Sequence, residues 1–241
     1  MIKKGLGKTL QCISLIWTLL RQGPDCKPLI EKAIIVTPSS LVKNWYNEIN
    51  KWLQNKVMSL AMDGGSKEEI DTKLKQFMFQ SGRRVIQPVL IISYETFRAH
   101  AAVLNKGPIG ICICDEGHRL KNAENQTYTA LNQLQATKRI LLSGTPIQND
   151  LTEYFSLIHF VNGGMLGTSS EFRKKFEIPI IKGRDSAASD AEQKIGNEKL
   201  LELASIVNKC IIRRTQALLT KYLPVKSICT ILFQYFNLYV T

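Results

Sequence analysis

Apolar residues occur in short continuous runs along the chain, separated by segments in which apolar positions have helical spacing. Continuous apolar runs are typical of strands that are covered on both faces of a parallel sheet. Four strands are therefore predicted, at Ala33–Thr37, Val89–Ser93, Ile109–Cys114 and residues 140–142.

The segments between these runs predict helices. Residues 9–22 fit one helix and residues 41–53 a second, with Pro38-Ser39-Ser40 as the loop that caps it. Alternating strands and helices require right-handed crossovers. The sequence therefore predicts an α/β fold, with a mainly parallel sheet and helices on both faces.

Composition adds a possible partner to this picture. The 241 residues allow one large domain, and a hydrophobic content of 44% is ordinary for a globular protein. The net charge of +12 favours a polyanionic partner, although solubility alone explains it equally well. The six cysteines lack zinc spacing, so reduced and mostly buried thiols are expected. No secretory leader is evident, and the longest apolar stretch, residues 227–241, is too short for a membrane span.

Three short strings, in one order, predict a nucleotide site. They are Gly5-Leu6-Gly7-Lys8-Thr9, Asp115-Glu116-Gly117-His118 and Ser143-Gly144-Thr145-Pro146-Ile147-Gln148-Asn149. Each string alone has an ordinary explanation, such as a helix N-terminus or a solvated turn. Together they fall at the carboxyl ends of strands, where ligands of parallel sheets bind.

The first two strings supply the groups that phosphate chemistry needs. Glycines let backbone N–H groups approach phosphate oxygens, Lys8 would neutralise the β- and γ-phosphates, and the Thr9 hydroxyl would ligate Mg²⁺. Asp115 would hold the same ion at the tip of its strand. Glu116 would polarise the water that attacks the γ-phosphorus.

The remaining polar residues of these strings have two open interpretations. His118 either reports loss of the γ-phosphate by contacting Gln148 or Ser143, or is a turn histidine. Ser143, Gly144 and Thr145 either couple the nucleotide state to another surface or form an ordinary turn at the end of a strand.

At these strings the chain resembles the first ATPase lobe of the Swi/Snf group of helicase-like DNA translocases, and within it the translocases of homologous recombination. The resemblance is also carried by residues 35–45, 63–67, 115–122, 182–185 and 212–215. It implies a RecA-like P-loop NTPase lobe over residues 1–165, a C-terminal helical protrusion with the start of an inter-lobe linker over 166–226, and no second lobe. The apolar tail, residues 227–241, resembles no segment of the family.

The resemblance further implies ATP and Mg²⁺ as cofactors, double-stranded DNA and a strand-exchange recombinase as partners, no membrane association, and a nuclear location. Nucleotide contacts are expected from Gly5, Leu6, Gly7, Lys8, Thr9, His118 and Gln148. Residues that resemble the family's grip on one DNA strand are Pro38, Ser39, Ser40, Lys43, Ser93 and Tyr94. Such groups contact phosphates and read no sequence. Trp45 and Trp52 are expected to be core or lobe-packing residues rather than base-stacking platforms.

Two functions from different classes remain open. The first is a DNA-dependent ATPase that moves along duplex DNA and remodels recombination intermediates. The second is a catalytically incompetent module that binds nucleotide and DNA. The resemblance implies that family members complete their site with arginines from a second lobe, which stabilise the transition state and raise the catalytic rate about 10³-fold or more. The expected lack of that lobe supports the second function.

Overall fold

The computed structural model describes residues 7–23, 25–120, 125–144 and 150–214, without the side chain of Arg83. The chain divides into two compact units. One consists of residues 7–211, and the other of residues 1–6 and 212–241, of which only 212–214 are described.

Within the described residues, five parallel strands form one sheet in the order β2-β3-β1-β4-β5. In chain order they are β1 (Ala33–Thr37), β2 (Ser59–Met62), β3 (Val89–Ser93), β4 (Ile109–Cys114) and β5 (Ala136–Leu141). The central strand β1 pairs with β3 and β4, so its residues are buried on both faces and along both edges.

The described residues also form ten α-helices. In chain order they are α1 (Lys8–Arg21), α2 (Ser39–Leu53), α3 (Lys67–Phe79), α4 (Tyr94–Ala99), α5 (Ala101–Leu104), α6 (Gln126–Asn132), α7 (Leu151–Val161), α8 (Ser169–Phe172), α9 (Ile178–Arg184) and α10 (Asp190–Val207). A π-helical turn, Arg173–Glu177, joins α8 to α9, and 3₁₀ turns lie at Gly82–Arg84 and Gly117–Leu120.

Alternate residues of the strands enter two different apolar layers. Ala33 and Ile35 of β1 pack in the layer that α1 and α2 cover. Ile34 and Val36 pack in the layer on the other face, which α3, α4, α6 and α7 cover. The sheet is therefore covered on both sides, as its continuous apolar runs require.

A third apolar cluster holds the helices that follow the sheet. Phe155 and Ile158 of α7 pack against α8, α9 and α10, while Leu157 and Phe160 of the same helix face the sheet. Helix α7 is thus shared between the sheet layer and the helical region, a name we give to residues 166–211.

The predicted α/β class with a parallel sheet is confirmed, and β1, β3 and β4 have the predicted bounds. The loop predicted at Pro38-Ser39-Ser40 is wrong in part. Ser39 and Ser40 form the first turn of α2, and Pro38 is the N-cap, which has no hydroxyl to donate or accept a capping bond.

Two strands differ from the prediction. Strand β5 begins at Ala136 rather than at residue 140. Its first half was not predicted as a strand because polar residues occupy it, at the edge of the described sheet. Strand β2 was not predicted, since it has only four residues. Among the cysteines, Cys12, Cys112 and Cys114 are buried as expected, but Cys26 is exposed.

Candidate functional site

The carboxyl edge of the sheet gathers several of the predicted nucleotide residues. Asp115 and Glu116 follow β4, Gly144 follows β5, and Lys8 begins α1. A Cβ atom built on Gly144 would lie 3.5 Å from Lys8 Nζ and 4.0 Å from Glu116 Oε1. The ammonium and one predicted catalytic carboxylate therefore both lie close to the same glycine.

Helix α1 begins as a phosphate-binding helix should. Its N-cap is Gly7, whose φ of 74° lies in the left-handed region that glycine adopts without steric cost. The N–H of Gln11 donates to the Gly7 carbonyl at 3.0 Å, which closes the first turn. The preceding amides of that turn have no intrahelical acceptor and lie at the positive end of the helix dipole. Thr9 is half-buried in the same turn.

Cys12 lies one turn along α1 from Lys8 and is buried. Burial raises the pKa of the Cys12 thiol to about 11, and the negative charge of Asp115 adds to that rise. The positive charge of Lys8 opposes it. Both charges therefore act on the same buried thiol.

Asp115 is held on several sides. Its backbone N–H donates to the Val36 carbonyl at 2.8 Å, which extends the pairing of β4 with β1. Its carboxylate accepts the Trp45 indole N–H on Oδ2 and the Glu116 backbone N–H on Oδ1, both at 2.9 Å. The Tyr94 hydroxyl donates to its carbonyl at 2.7 Å. The orientation of this carboxylate is therefore fixed before any ligand binds.

Glu116 is held less firmly than its neighbour. It adopts a φ of 50°, which a non-glycine residue rarely does and which commonly marks functional sites. Its Oε2 lies 3.3 Å from Nδ1 of His118, close enough for an ion pair. That contact lacks hydrogen-bond geometry, and Nδ1 has no hydrogen-bond partner in the described part of the chain. Among the described residues, the Glu116 carboxylate is thus held by fewer hydrogen bonds than that of Asp115.

The tips of β4 and β5 are locked together beneath these side chains. The Gly117 N–H donates to the Leu142 carbonyl at 2.7 Å, and the Leu142 N–H donates to the Cys114 carbonyl at 2.8 Å. A Cβ atom on Gly117 would lie only 2.2 Å from Cγ of Leu141. A glycine is needed here so that the turn after β4 can lie against β5.

The predicted DNA-binding residues divide into two groups. Ser39, Ser40 and Lys43 are exposed on the first turns of α2. Ser93 and Tyr94 are 4% and 2% exposed, respectively, and their hydroxyls are engaged inside the protein. Pro38 is also buried. The exposed serines and the lysine are thus the side chains able to reach a phosphate backbone.

Several predicted residues lie outside the described part of the chain. They are Gly5, Leu6, Thr145 and Gln148, together with the tail of residues 227–241 and most of the predicted linker. The predicted contact between His118 and Gln148 therefore stays a prediction. Ser143 is half-buried beside Gly144 at the end of β5.

Sequence reasoning missed the contact between Trp45 and the site. Trp45 is 1% exposed, which confirms its expected packing role, but its indole N–H also bonds the Asp115 carboxylate across 70 positions of sequence. Trp52 is not a core residue. It is 46% exposed, and its indole N–H donates to Glu48 on the surface at 2.7 Å.

A family model described as SNF2-related domain matches residues 3–237 of this chain. The DNA repair and recombination protein RAD54-like of Homo sapiens is 68% identical over 222 residues, which cover 92% of this chain and 30% of that protein. The protein of the same description from Drosophila virilis is 60% identical, covering 92% of this chain and 28% of its own length.

Solved structures show the same fold. The Sulfolobus solfataricus SWI2/SNF2 ATPase core in complex with dsDNA has a TM-score of 0.66 at 25% identity, over 88% of this chain and 39% of that chain. The SWI2/SNF2 ATPase core domain from the same organism has a TM-score of 0.64 at 26% identity, over 88% of this chain and 38% of that chain. The present chain thus spans about 30% of the length of the curated relatives it matches.

Proposed function

The chain belongs to the SNF2-related domain family, and we propose that it is the ATP-binding lobe of a DNA translocase of homologous-recombination repair. In this proposal ATP hydrolysis is coupled to movement along duplex DNA. The relatives are DNA repair and recombination proteins, and a structure of similar fold is an ATPase core in complex with dsDNA.

The observation that carries the proposal is the meeting of Lys8, Glu116 and Gly144 at the carboxyl edge of the sheet, beside the fixed Asp115. A cation, two carboxylates and a helix N-terminus at one edge are the parts that phosphoryl transfer to water requires. They come from three separate segments of the chain, at the sheet edge where parallel sheets bind their ligands.

The residues of the edge fit ATP bound with Mg²⁺. In the described part of the chain no cluster of three His, Cys, Asp or Glu residues could hold a metal by itself. Magnesium commonly needs no such cluster, because it is held by one or two carboxylates together with substrate phosphates. Asp115 and Thr9 would supply the protein's share of its ligands, and the bound ion would offset phosphate charge.

The other residues would then orient the reactants. Lys8 and the first-turn amides of α1 would bind the β- and γ-phosphate oxygens. Glu116 would accept a hydrogen bond from the attacking water and orient it in line with the leaving group. His118, beside Glu116, would respond to the side-chain movement that follows loss of the γ-phosphate.

The DNA side of the proposal rests on α2. Ser39, Ser40 and Lys43 are exposed at its N-terminal end, where hydroxyls, an ammonium and the helix dipole all favour a phosphate. Contacts of this kind read no base edges. Binding should therefore tolerate any sequence and weaken steeply as salt increases.

The proposal includes a nuclear location and a strand-exchange recombinase as partner, both from the family's role in recombination. None of the described helices is long and apolar enough to cross a membrane.

ATP hydrolysis by the purified chain, with and without duplex DNA, tests the proposal beside the Lys8→Ala variant. If this lobe hydrolyses ATP by itself, DNA should stimulate the turnover and the variant should lose it, because no other described cation lies within 4 Å of the Cβ position of Gly144. Equal turnover in the variant would contradict the assigned site. Binding of nucleotide and DNA without turnover would favour the second function, a module that binds both without catalysis.

A further inference from the structure

The hydrogen bond between Trp45 and Asp115 joins a helix to the candidate site. The indole Nε1–H donates to Asp115 Oδ2 at 2.9 Å, and the indole is 1% exposed. A hydrogen bond to a carboxylate is shorter and roughly twice as strong as one between neutral groups. The indole end of the bond is buried and Asp115 is half-buried, so the bond can hold the carboxylate in one rotamer.

Helix α2 carries this indole on one face and the exposed phosphate-binding side chains on another. Val42, Trp45 and Ile49 are buried with the spacing of a helical stripe. Ser40 and Lys43 are exposed near the start of the same helix. Because a packed helix of 15 residues moves as one body, a displacement of its exposed end moves the indole relative to Asp115.

A second bond reaches the same residue from another helix. The Tyr94 hydroxyl donates to the Asp115 carbonyl at 2.7 Å, from the first residue of α4. Asp115 is thus bonded through its side chain to α2 and through its backbone to α4.

We infer that Trp45 is a positioning residue: it orients Asp115 toward Mg²⁺ and the nucleotide, and it transmits DNA contact at the start of α2 to that carboxylate. This inference rests on the proposed function. Partners that orient a metal ligand are typically worth 10-fold to 100-fold in metal affinity. Trp45 touches neither nucleotide nor DNA in this scheme and acts only through Asp115.

Binding of a fluorescent methylanthraniloyl derivative of ATP tests the inference without requiring turnover. Trp45→Phe removes the N–H donor and keeps an aromatic ring. We expect its nucleotide affinity in Mg²⁺ to fall about 10-fold or more, while its affinity in EDTA matches that of the wild type. A duplex oligonucleotide should strengthen Mg²⁺-dependent nucleotide binding by the wild type. It should leave the nucleotide affinity of the variant unchanged, although both proteins bind the duplex equally.

Trp52→Phe is the matched control. Trp52 lies on the same helix and also donates its indole N–H to a carboxylate, but at the exposed surface and on Glu48. We expect this variant to bind nucleotide and DNA as the wild type does. An equal loss in both tryptophan variants would overturn the inference, because the effect would then belong to α2 in general.

Tyr94→Phe keeps the inference testable if Trp45→Phe is poorly folded. It removes one hydroxyl without a change of ring, and we expect a smaller loss of the same kind, confined to Mg²⁺. Equal losses of nucleotide affinity in Mg²⁺ and in EDTA would show a packing defect and overturn the inference. Two results with duplex DNA would also overturn it: no effect of the duplex on nucleotide binding by the wild type, or the same effect in Trp45→Phe as in the wild type. Failure of the wild type to bind nucleotide in Mg²⁺ would instead overturn the proposed function.

Discussion

The sheet and the helical region differ in how far apart along the chain their contacting residues lie. Strand β1 pairs with strands that begin at Val89 and Ile109, and Trp45 bonds Asp115. In the helical region, contacts within a few residues define the helices. Thr168 and Glu171 cap α8 reciprocally, and an equivalent box caps α10.

The difference separates two requirements of the molecule. A site built from three distant loops needs a frame that cannot shift locally, and a sheet with both faces buried provides it. The helical region packs around an apolar cluster of its own, so it can loosen separately from the sheet. We therefore expect destabilising substitutions in the sheet to disturb the site. Destabilising substitutions in the helical region should disturb only that region.

Gly110→Ala is the most damaging change we expect on the sheet side. A Cβ atom on this residue of β4 would lie 2.3 Å from Cβ of Ile30 and 3.1 Å from the Lys32 carbonyl, and neither neighbour can rotate away. We expect a loss of about 2–3 kcal/mol in the free energy of unfolding, measured by urea denaturation. Gly64→Ala is the control, because nothing lies within 4 Å of its Cβ position. Similar stabilities of the two variants would contradict the prediction.

Gly183→Ala should have a smaller and more local effect. The helices α9 and α10 cross at Gly183 and Gly196, and a Cβ atom on Gly183 would lie 2.7 Å from the Glu192 carbonyl. We expect a loss of about 1–2 kcal/mol, since alanine's better helix propensity offsets part of the clash.

Hydrogen exchange distinguishes a local from a global effect of Gly183→Ala. Amides of α9 and α10 should exchange faster, while those of β1 keep their protection. Gly163→Ala is the control, because its Cβ atom would lie 3.6 Å from its nearest neighbour, the His159 carbonyl. Equal acceleration in β1 would show that the helical region does not loosen separately.

Ser189→Ala tests the local specification of α10 directly. The Ser189 hydroxyl accepts the Glu192 N–H as N-cap, so its removal should cost about 1 kcal/mol and accelerate exchange in the first turn of that helix. Ser205→Ala makes the same substitution at an exposed position in the last turn of α10 and should not destabilise it. If both variants behaved alike, capping would not define where this helix begins.

Acid should weaken the same cap by a smaller amount. The Ser189 backbone N–H and hydroxyl donate to the Glu192 carboxylate and lower its pKa from the ordinary value of 4.5. The stabilisation is therefore present above pH 4.5 and is lost as the pH falls through the lowered pKa. Denaturation of the wild type and Glu192→Gln should differ at pH 7 and converge near the acid limit of folding. A difference that persists at low pH would contradict a contribution from the ionised carboxylate.

How far the sequence could predict the fold depends on how each element is buried. Strands β1 and β3 are buried at every position, so their apolar runs mark their bounds. Strand β5 is an edge strand whose polar first half includes Lys138 and Arg139, and only its apolar end was predicted. The serines after Pro38 were assigned to a loop because their side chains favour caps, but proline itself occupies the cap position.

The site shows the same division. Lys8, Asp115 and Glu116 could be predicted from sequence to lie at one edge of the sheet, because each belongs to a short string that follows a predicted strand or begins a predicted helix. The bond from Trp45 to Asp115 could not, since the two residues are 70 positions apart and a buried tryptophan has no local signal of its polar partner. The burial of Tyr94, which directs its hydroxyl to Asp115 rather than to DNA, likewise depends on tertiary packing.

The central place of β1 in the sheet has a consequence for synthesis on the ribosome. This apolar strand is complete at Thr37, but its neighbours are complete only at Ser93 and Cys114. At about 5–20 residues per second, β1 would wait on the order of 4–15 seconds for its second partner. Until that partner is complete, at least one edge of β1 has no strand to pair with, so a nascent chain of this protein is a natural client for chaperones that bind short apolar segments.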